Sequence, residues 1–267
     1  YFMFTLVSLF SGSSGNAIFI SGNNTKILVD AGLSGTKIER ALSSIGEDIC
    51  NIQAILISHE HMDHIMGAGV LARRFGIPIY ANKNTWNAMA NIINIRKLHP
   101  NCIRVFDTGD IFSIGDIEIH TFSTPHDAVE PVGFNFLCNG KKLTVATDMG
   151  HMNSNLLSNL EGSDMILIES NHDIEMLKMG RYPWPLKRRI MGDRGHLCND
   201  VAAQVVAYLA SMGTKKFLLG HLSKENNFPE LAFETVKNAL MEKSIIVGRD
   251  VYLGVAMRDR VSEAISV

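Results

Sequence analysis

Three observations in this 267-residue sequence predict an α/β fold built from two sheet-plus-helix halves. Short apolar runs rich in β-branched residues recur between Gly, Asn and Asp; they alternate with segments of helical periodicity; and the order of sheet followed by helices occurs twice. Packed sheet to sheet with helices outside, such halves make a four-layered αββα sandwich, and an open α/β sheet fits the pattern almost as well. The chain reads as a single domain over residues 1–267, with halves at roughly 1–110 and 111–267. Its 46% hydrophobic residues are ample for a buried core.

The first half opens with strands expected at residues 5–10, 17–21, 27–30 and 54–58. Helices follow at 36–44, 68–75 and 83–95, with a short strand at 77–80 between the last two. The second half carries strands at 117–122, 132–137, 143–147 and 165–169, then helices at 199–212 and 230–241.

Composition narrows the function. Lys plus Arg total 25 against 27 Asp plus Glu, so the net charge of -2 excludes a globally basic nucleic-acid coat and an acidic tail alike. A polyanion would have to be bound locally. Cys50, Cys102, Cys138 and Cys198 are widely spaced without a CxxC pair, which indicates neither a disulfide framework nor a thiolate zinc finger. A reducing cytoplasm fits best. The apolar opening at 2–10 is too short to span a bilayer and has no basic leader, so secretion and membrane insertion are not expected. Met3 is a candidate natural start, with Tyr1 and Phe2 ahead of it.

The segment Ile55-Leu-Ile-Ser-His59-Glu-His61-Met-Asp63-His64 ends a hydrophobic strand in three histidines and an aspartate within six residues. Alternation in extended backbone puts His59 and His61 on one side, where two neutral imidazoles can share a metal; Asp63 and His64 follow as the chain turns towards a helix. A lone histidine here would read as a solvated strand end. A cluster of this density reads as a metal site.

The segment matches HxHxDH, the signature of metallo-β-lactamase-fold hydrolases, and the rest of the chain resembles that superfamily in order. Asp30 closes Lys-Ile-Leu-Val-Asp, His126 sits in Ser-Thr-Pro-His-Asp, Asp148 ends Leu-Thr-Val-Ala-Thr-Asp, and His221 sits in Leu-Leu-Gly-His-Leu. The resemblance implies the αββα metallo-β-lactamase fold and two divalent ions, zinc or manganese. His59, His61 and His126 would hold one, Asp63, His64 and His221 the other, Asp148 would bridge, and Asp30 would lie behind the ligands. Two dications offset by two carboxylates and a hydroxide leave a charge of about +1, which favours an anionic reacting group such as a phosphodiester.

Within the superfamily, Leu9-Phe-Ser-Gly-Ser-Ser-Gly-Asn16, Asp30-Ala-Gly-Leu-Ser-Gly35, Glu169-Ser-Asn-His172-Asp173, Tyr182-Pro-Trp184 and Gly195-His196-Leu are similar to the YycJ/WalJ-like exonuclease family. Cys198 departs from the serine expected after Gly-His-Leu. That family implies a cytoplasmic 5′-to-3′ exodeoxyribonuclease associated with DNA mismatch repair, acting on single-stranded DNA or on a free 5′ end. Asp63, Asp148 and His196 are then the candidate catalytic residues, His196 protonating the leaving 3′ oxygen or steadying a phosphate; alternatively it only starts a helix. Ser13 and Asn16 could touch a phosphate, although a β-turn explains them nearly as well. His172 belongs with these substrate-side candidates.

Between Lys178 and Arg194 six basic residues face the single acid Asp193, a local excess of +5. Tyr182 and Trp184 interleave with Lys187, Arg188 and Arg189, as single-strand binding requires; the other reading is a solvated helix face with Trp184 packed inward. Competing functions are a ribonuclease or cyclic phosphodiesterase, a thioester or lactam hydrolase, and a non-catalytic DNA-binding protein. A lactamase would want a signal peptide and commonly a thiolate ligand, flavodiiron proteins carry glutamate where His61 stands, and an intact ligand set argues against loss of catalysis.

Overall fold

A computed structural model describes residues 3–267, so the reading of Tyr1 and Phe2 lies outside the described residues. The chain divides into two compact units. The first runs up to Thr121 and includes Ala128–Val132 and Met257–Val267; the second comprises Phe122–Asp127 and Gly133–Ala256.

In the first unit, strands β1 (Thr5–Phe10), β2 (Ala17–Ser21) and β3 (Lys26–Val29) form an antiparallel meander. Strands β4 (Ala54–Leu56), β5 (Ile79–Asn82) and β6 (Ile103–Phe106) then add in parallel, and the chain's last strand, Ile265–Ser266, pairs with β1. Helices α1 (Gly35–Ser44), α2 (Met62–Ile65), α3 (Ala68–Phe75) and α4 (Lys83–Met89) fill the crossovers. One core joins Phe19, Leu28, Ile55 and Ile79 of the strands to Ile38 and Leu42 of α1, Leu71 of α3 and Trp86 of α4. The hairpin β7 (Ile111–Ile114) to β8 (Ile117–Ser123) leads out of this unit.

In the second unit, β9 (Val132–Cys138) and β10 (Lys141–Ala146) form a hairpin whose Asn139 and Gly140 both take positive φ, as a two-residue turn of matching twist requires. Strands β11 (Met165–Glu169), β12 (Lys216–Gly220) and β13 (Tyr252–Val255) extend the sheet in parallel from β10. Helices α5 (Ser154–Leu160), α6 (Ile174–Met179), α7 (Trp184–Met191), α8 (Asn199–Ser211) and α9 (Pro229–Glu242) belong to it. Its core packs Ile166, Ile168, Phe217 and Leu219 against Val206 and Leu209 of α8 and Val236 and Leu240 of α9.

Two expected elements move. The helix expected at 83–95 stops at Met89, because Asn94 takes a left-handed φ of 57° and the chain tightens into a 3-10 turn at Ile95–Lys97. The strand expected at 77–80 begins at Ile79, after Pro78, which has no N–H to give a ladder. All four cysteines are free, and among the described residues no helix is long and apolar enough to cross a membrane.

Candidate metal centre

The strands position the chemistry by ending. Asp30, Asp148 and His221 directly follow or lie just beyond β3, β10 and β12, and all three hold positive φ, at 60°, 59° and 58°. They are three of only six non-glycine residues in that region among the described residues. Such a conformation costs about 1 kcal/mol or more for a residue with a Cβ, and it persists where surrounding contacts over-determine it.

In the first unit, β4 is fully buried and delivers Ser58 and His59 to its mouth. Ser58 donates its N–H to Asp30 Oδ1 (2.8 Å) and its hydroxyl to Oδ2 (2.9 Å). That leaves Ser58 Oγ, 3.0 Å from His59 Nδ1, to accept from the imidazole. Asp30 Oδ2 also takes His64 Nδ1–H at 2.7 Å. One buried carboxylate therefore orients two imidazoles, directly and through a serine. His59 Nε2 then faces His61 Nδ1 at 3.0 Å. Two nitrogens on one tetrahedral ion at roughly 2.0–2.1 Å stand about 3.3 Å apart, so this pair fits a shared metal.

Asp63 lies in the first turn of α2 at the edge of solvent, its Oδ2 3.7 Å from His64 Nε2. Its carbonyl accepts Asn16 N–H (2.8 Å), and a Cβ on Gly32 would stand only 1.6 Å from it. Glycine at 32 is thus what lets the loop after β3 lie against α2. Asn16 is buried: its Oδ1 accepts Gly12 N–H, and its Nδ2 lies 3.0 Å from His64 Nε2. It holds the Gly12–Asn16 loop against the cluster, whereas Ser13 is exposed.

In the second unit the organising residue is Glu169, which the candidate set above lacks. Wholly buried at the end of β11, it accepts Nδ1–H from His196 and from His221, both at 2.8 Å, and the N–H groups of Met149 and Leu197. Burial disfavours its charge, but His196 and His221 outweigh it and hold the carboxyl well below the usual range. A carboxylate closing an otherwise apolar buried strand, Met-Ile-Leu-Ile-Glu, is the sequence signal that marks it. One donor atom from each of Asp148, Glu169, His196 and His221 lies within 4.8 Å of the others. His126 gives Nδ1–H to Gly195 O (3.0 Å) and sets Nε2 at 3.8 Å from Asp148 Oδ1. Burial pushes its imidazolium down, against the pull of Asp148.

His172 sits behind this cluster, buried and pushed down to about 4 by that burial, with Glu169 attracting in the opposite sense. Its Nδ1 has no partner. The basic segment forms α7 and the loops around it. Trp184 is 56% exposed and does not pack inward, and Tyr182 is half-buried. Lys187 departs from the surface expectation: its stem is buried and its ammonium donates to Lys178 O at 2.6 Å. Arg189 pairs with Asp127 and Arg194 donates to His126 O, while Arg188 is exposed. Much of the +5 excess is thus spent inside the unit.

Residues 25–222 match the beta-lactamase superfamily domain. The chain is 44% identical over 240 residues to exodeoxyribonuclease YycJ of Bacillus anthracis, covering 90% of each. It is 44% identical over 242 residues to exodeoxyribonuclease WalJ of Streptococcus pneumoniae serotype 2, covering 91% of this chain and 90% of that one. Among solved structures it resembles a diphosphatase of the PhnP family (TM-score 0.67, 15% identity, 100% of this chain and 99% of that one). It also resembles the metallo-beta-lactamase fold protein YhfI of Bacillus subtilis (TM-score 0.65, 14% identity, 98% and 99%). The expected metallo-β-lactamase αββα class is borne out, and the open sheet is not.

Proposed function

The chain belongs to the beta-lactamase superfamily and, within it, to the YycJ/WalJ-like exonuclease family, and from that membership we propose how its own residues act on DNA. The protein is a metal-dependent exonuclease. It works in the cytoplasm on DNA with a free 5′ end, shortens a single strand 5′ to 3′, and serves mismatch repair. Its two units act as one domain. His59, His61 and His126 hold one divalent ion; Asp63, His64 and His221 hold a second; Asp148 is shared. Zinc and manganese both suit imidazole and carboxylate donors. When bound, the ions supply hydroxide at neutral pH and stabilise charge on a phosphoryl oxygen.

The observation that carries this reading is the state of the imidazoles. His59, His126 and His221 each have Nδ1 engaged by a hydroxyl, carboxylate or carbonyl, which leaves the basic Nε2 as the ligand atom, and His64, with Nδ1 on Asp30, turns its Nε2 to the side where Asn16 Nδ2 lies. His196 shares Glu169 with His221 and is part-exposed, so it can pass a proton to the departing 3′ oxygen. Exposed Ser13, Trp184 and Arg188 contact the strand, with Tyr182 and Arg189 beside them; Lys187, 6.0 Å from the Trp184 ring, supports that ring from beneath. Asn16 and His172 act on the substrate only through the groups they pack against.

Digestion of single-stranded and duplex DNA labelled at either end, with and without a 5′ phosphate, in manganese and in zinc, tests this. Mononucleotides should leave from the 5′ end of single strands. Internal cuts, or shortening from the 3′ end, would overturn the assigned polarity.

A further inference from the structure

A cavity of about 510 Å³ opens in the first unit, outside the residues assigned above. Four cations line it: Lys37 and Arg40 on α1, and Arg258 and Arg260 on the segment after β13. Asp259 is the sole acid of its lining, a local excess of +3 on a chain of net charge -2. Its floor is apolar, made by Phe10, Leu33 and Val261, and Phe10 and Val261 pack on the first unit's core. The walls are fixed. The returning segment is tied to β1 by Ser262 N–H to Ser8 O (2.9 Å) and to the residue after β1 by Ser11 N–H to Met257 O (3.1 Å), and is closed on itself by Met257 N–H to Ser262 Oγ (3.0 Å).

Neither Lys37 nor Arg40 has an ion pair among the described residues, whereas Glu39 between them turns to Arg74. Two exposed cations left unpaired beside an apolar floor are what a ligand with both a charged and a flat apolar part requires. Position supplies the other constraint. Ser14 lines the cavity, and it is two residues from Asn16, whose side chain lies 3.0 Å from His64 Nε2. Two residues of extended chain reach at most about 7 Å, so the cavity's rim lies within a nucleotide or two of the His59–His64 cluster.

We propose that this cavity is a subsite for one nucleotide of the substrate strand, its base on Phe10 and Leu33 and its flanking phosphates on Lys37, Arg40 and Arg260. The proposal rests on the nuclease reading above and adds to it a polymer contact on the first unit, away from α7. Base stacking on an aromatic face tolerates any sequence, so the subsite should grip the strand without reading it.

The test is a comparison of the parent with Lys37→Gln/Arg40→Gln and with Ser44→Trp, which fills the mouth of the cavity without changing charge. On a twelve-nucleotide single strand the double variant should raise KM roughly tenfold with little change in kcat. Its binding should lose about 1.4 units of salt slope, about 0.7 for each phosphate contact removed. Ser44→Trp should raise KM while leaving the salt slope nearer the parent's. On a dinucleotide, too short to span both places, the differences should collapse. If the parent degrades DNA but both variants keep its KM and salt slope, the subsite is refuted and the nuclease reading stands. If the parent degrades no DNA with either metal, it is the nuclease reading that fails.

Discussion

Glu169 does for His221 what Asp30 does for His64: a buried carboxylate takes Nδ1–H and leaves Nε2 for a ligand. Glu169→Gln keeps the shape but removes the charge that His196 and His221 hold in place against burial. Metal affinity should fall about 10- to 100-fold while far-ultraviolet circular dichroism stays that of the parent. Unchanged affinity in a competition titration would demote Glu169 to packing. His172 makes a prediction of the opposite electrical kind. Burial depresses its folded pKa to about 4, below the ordinary value of about 6.5, so the folded state binds fewer protons than the unfolded chain between those values. Its neutral form therefore costs nothing above pH 6.5, and stability is lost as pH falls from there towards 4, by about 3 kcal/mol. Urea titrations of metal-free protein should show His172→Gln losing that much less between pH 7 and 4. The HxHxDH residues were legible because their chemistry is local in sequence; Glu169 was not, because its role depends on Nδ1 atoms supplied from 27 and 52 positions away.

Elements were legible where burial was complete on one or both faces. Strands β2, β4 and β11 carry unbroken or nearly unbroken buried patterns; β2 and β11 sit where expected, and β4 starts where expected and stops at Leu56, two residues short. Strands β6 and β7 expose half or more of their residues, with patterns of one buried position in four, and gave no periodic signal to find. Helices α6 and α7 were hidden by the Gly180–Pro185 stretch, whose Pro183 caps α7 in extended backbone. The loop between β3 and α1 is tight for a reason the sequence does not display, since Gly32 touches a carbonyl 31 residues on. Gly32→Ala should push α2 off that loop, lowering the unfolding free energy by roughly 1–3 kcal/mol and activity more than proportionately. Denaturant midpoints beside specific activity check it; parental values in both would show that the contact relaxes freely. On α7, Trp184→Ala with Arg188→Gln should weaken single-strand binding and flatten its salt dependence by about 0.7 units. Parental binding at several salt concentrations would leave α7 a solvated face.

At the scale of the whole molecule, the function came through the joint order of weak signals. His126, Asp148 and His221 are each ordinary alone, and it is their sequence after HxHxDH that points to one chemistry. The proposed ligand set makes a quantitative demand on the folded chain. Seven side chains with Asp148 shared should bind two ions, so elemental analysis after supplying zinc or manganese should approach two metals per chain. Because the unfolded chain does not preserve that arrangement, metal at about a hundred times its dissociation constant should add about 2.7 kcal/mol to stability, and a chelator should lower the thermal midpoint correspondingly. Asp148→Asn removes the shared negative charge, and turnover should fall on the order of a thousandfold or more. The variant's metal content must be measured beside its rate, since loss of an ion and loss of a productive arrangement both slow the reaction. Saturation at one metal per chain in the parent would sink the two-ion arrangement, and a fully loaded Asp148→Asn protein with near-parental turnover would mean that the bridging role belongs to another residue.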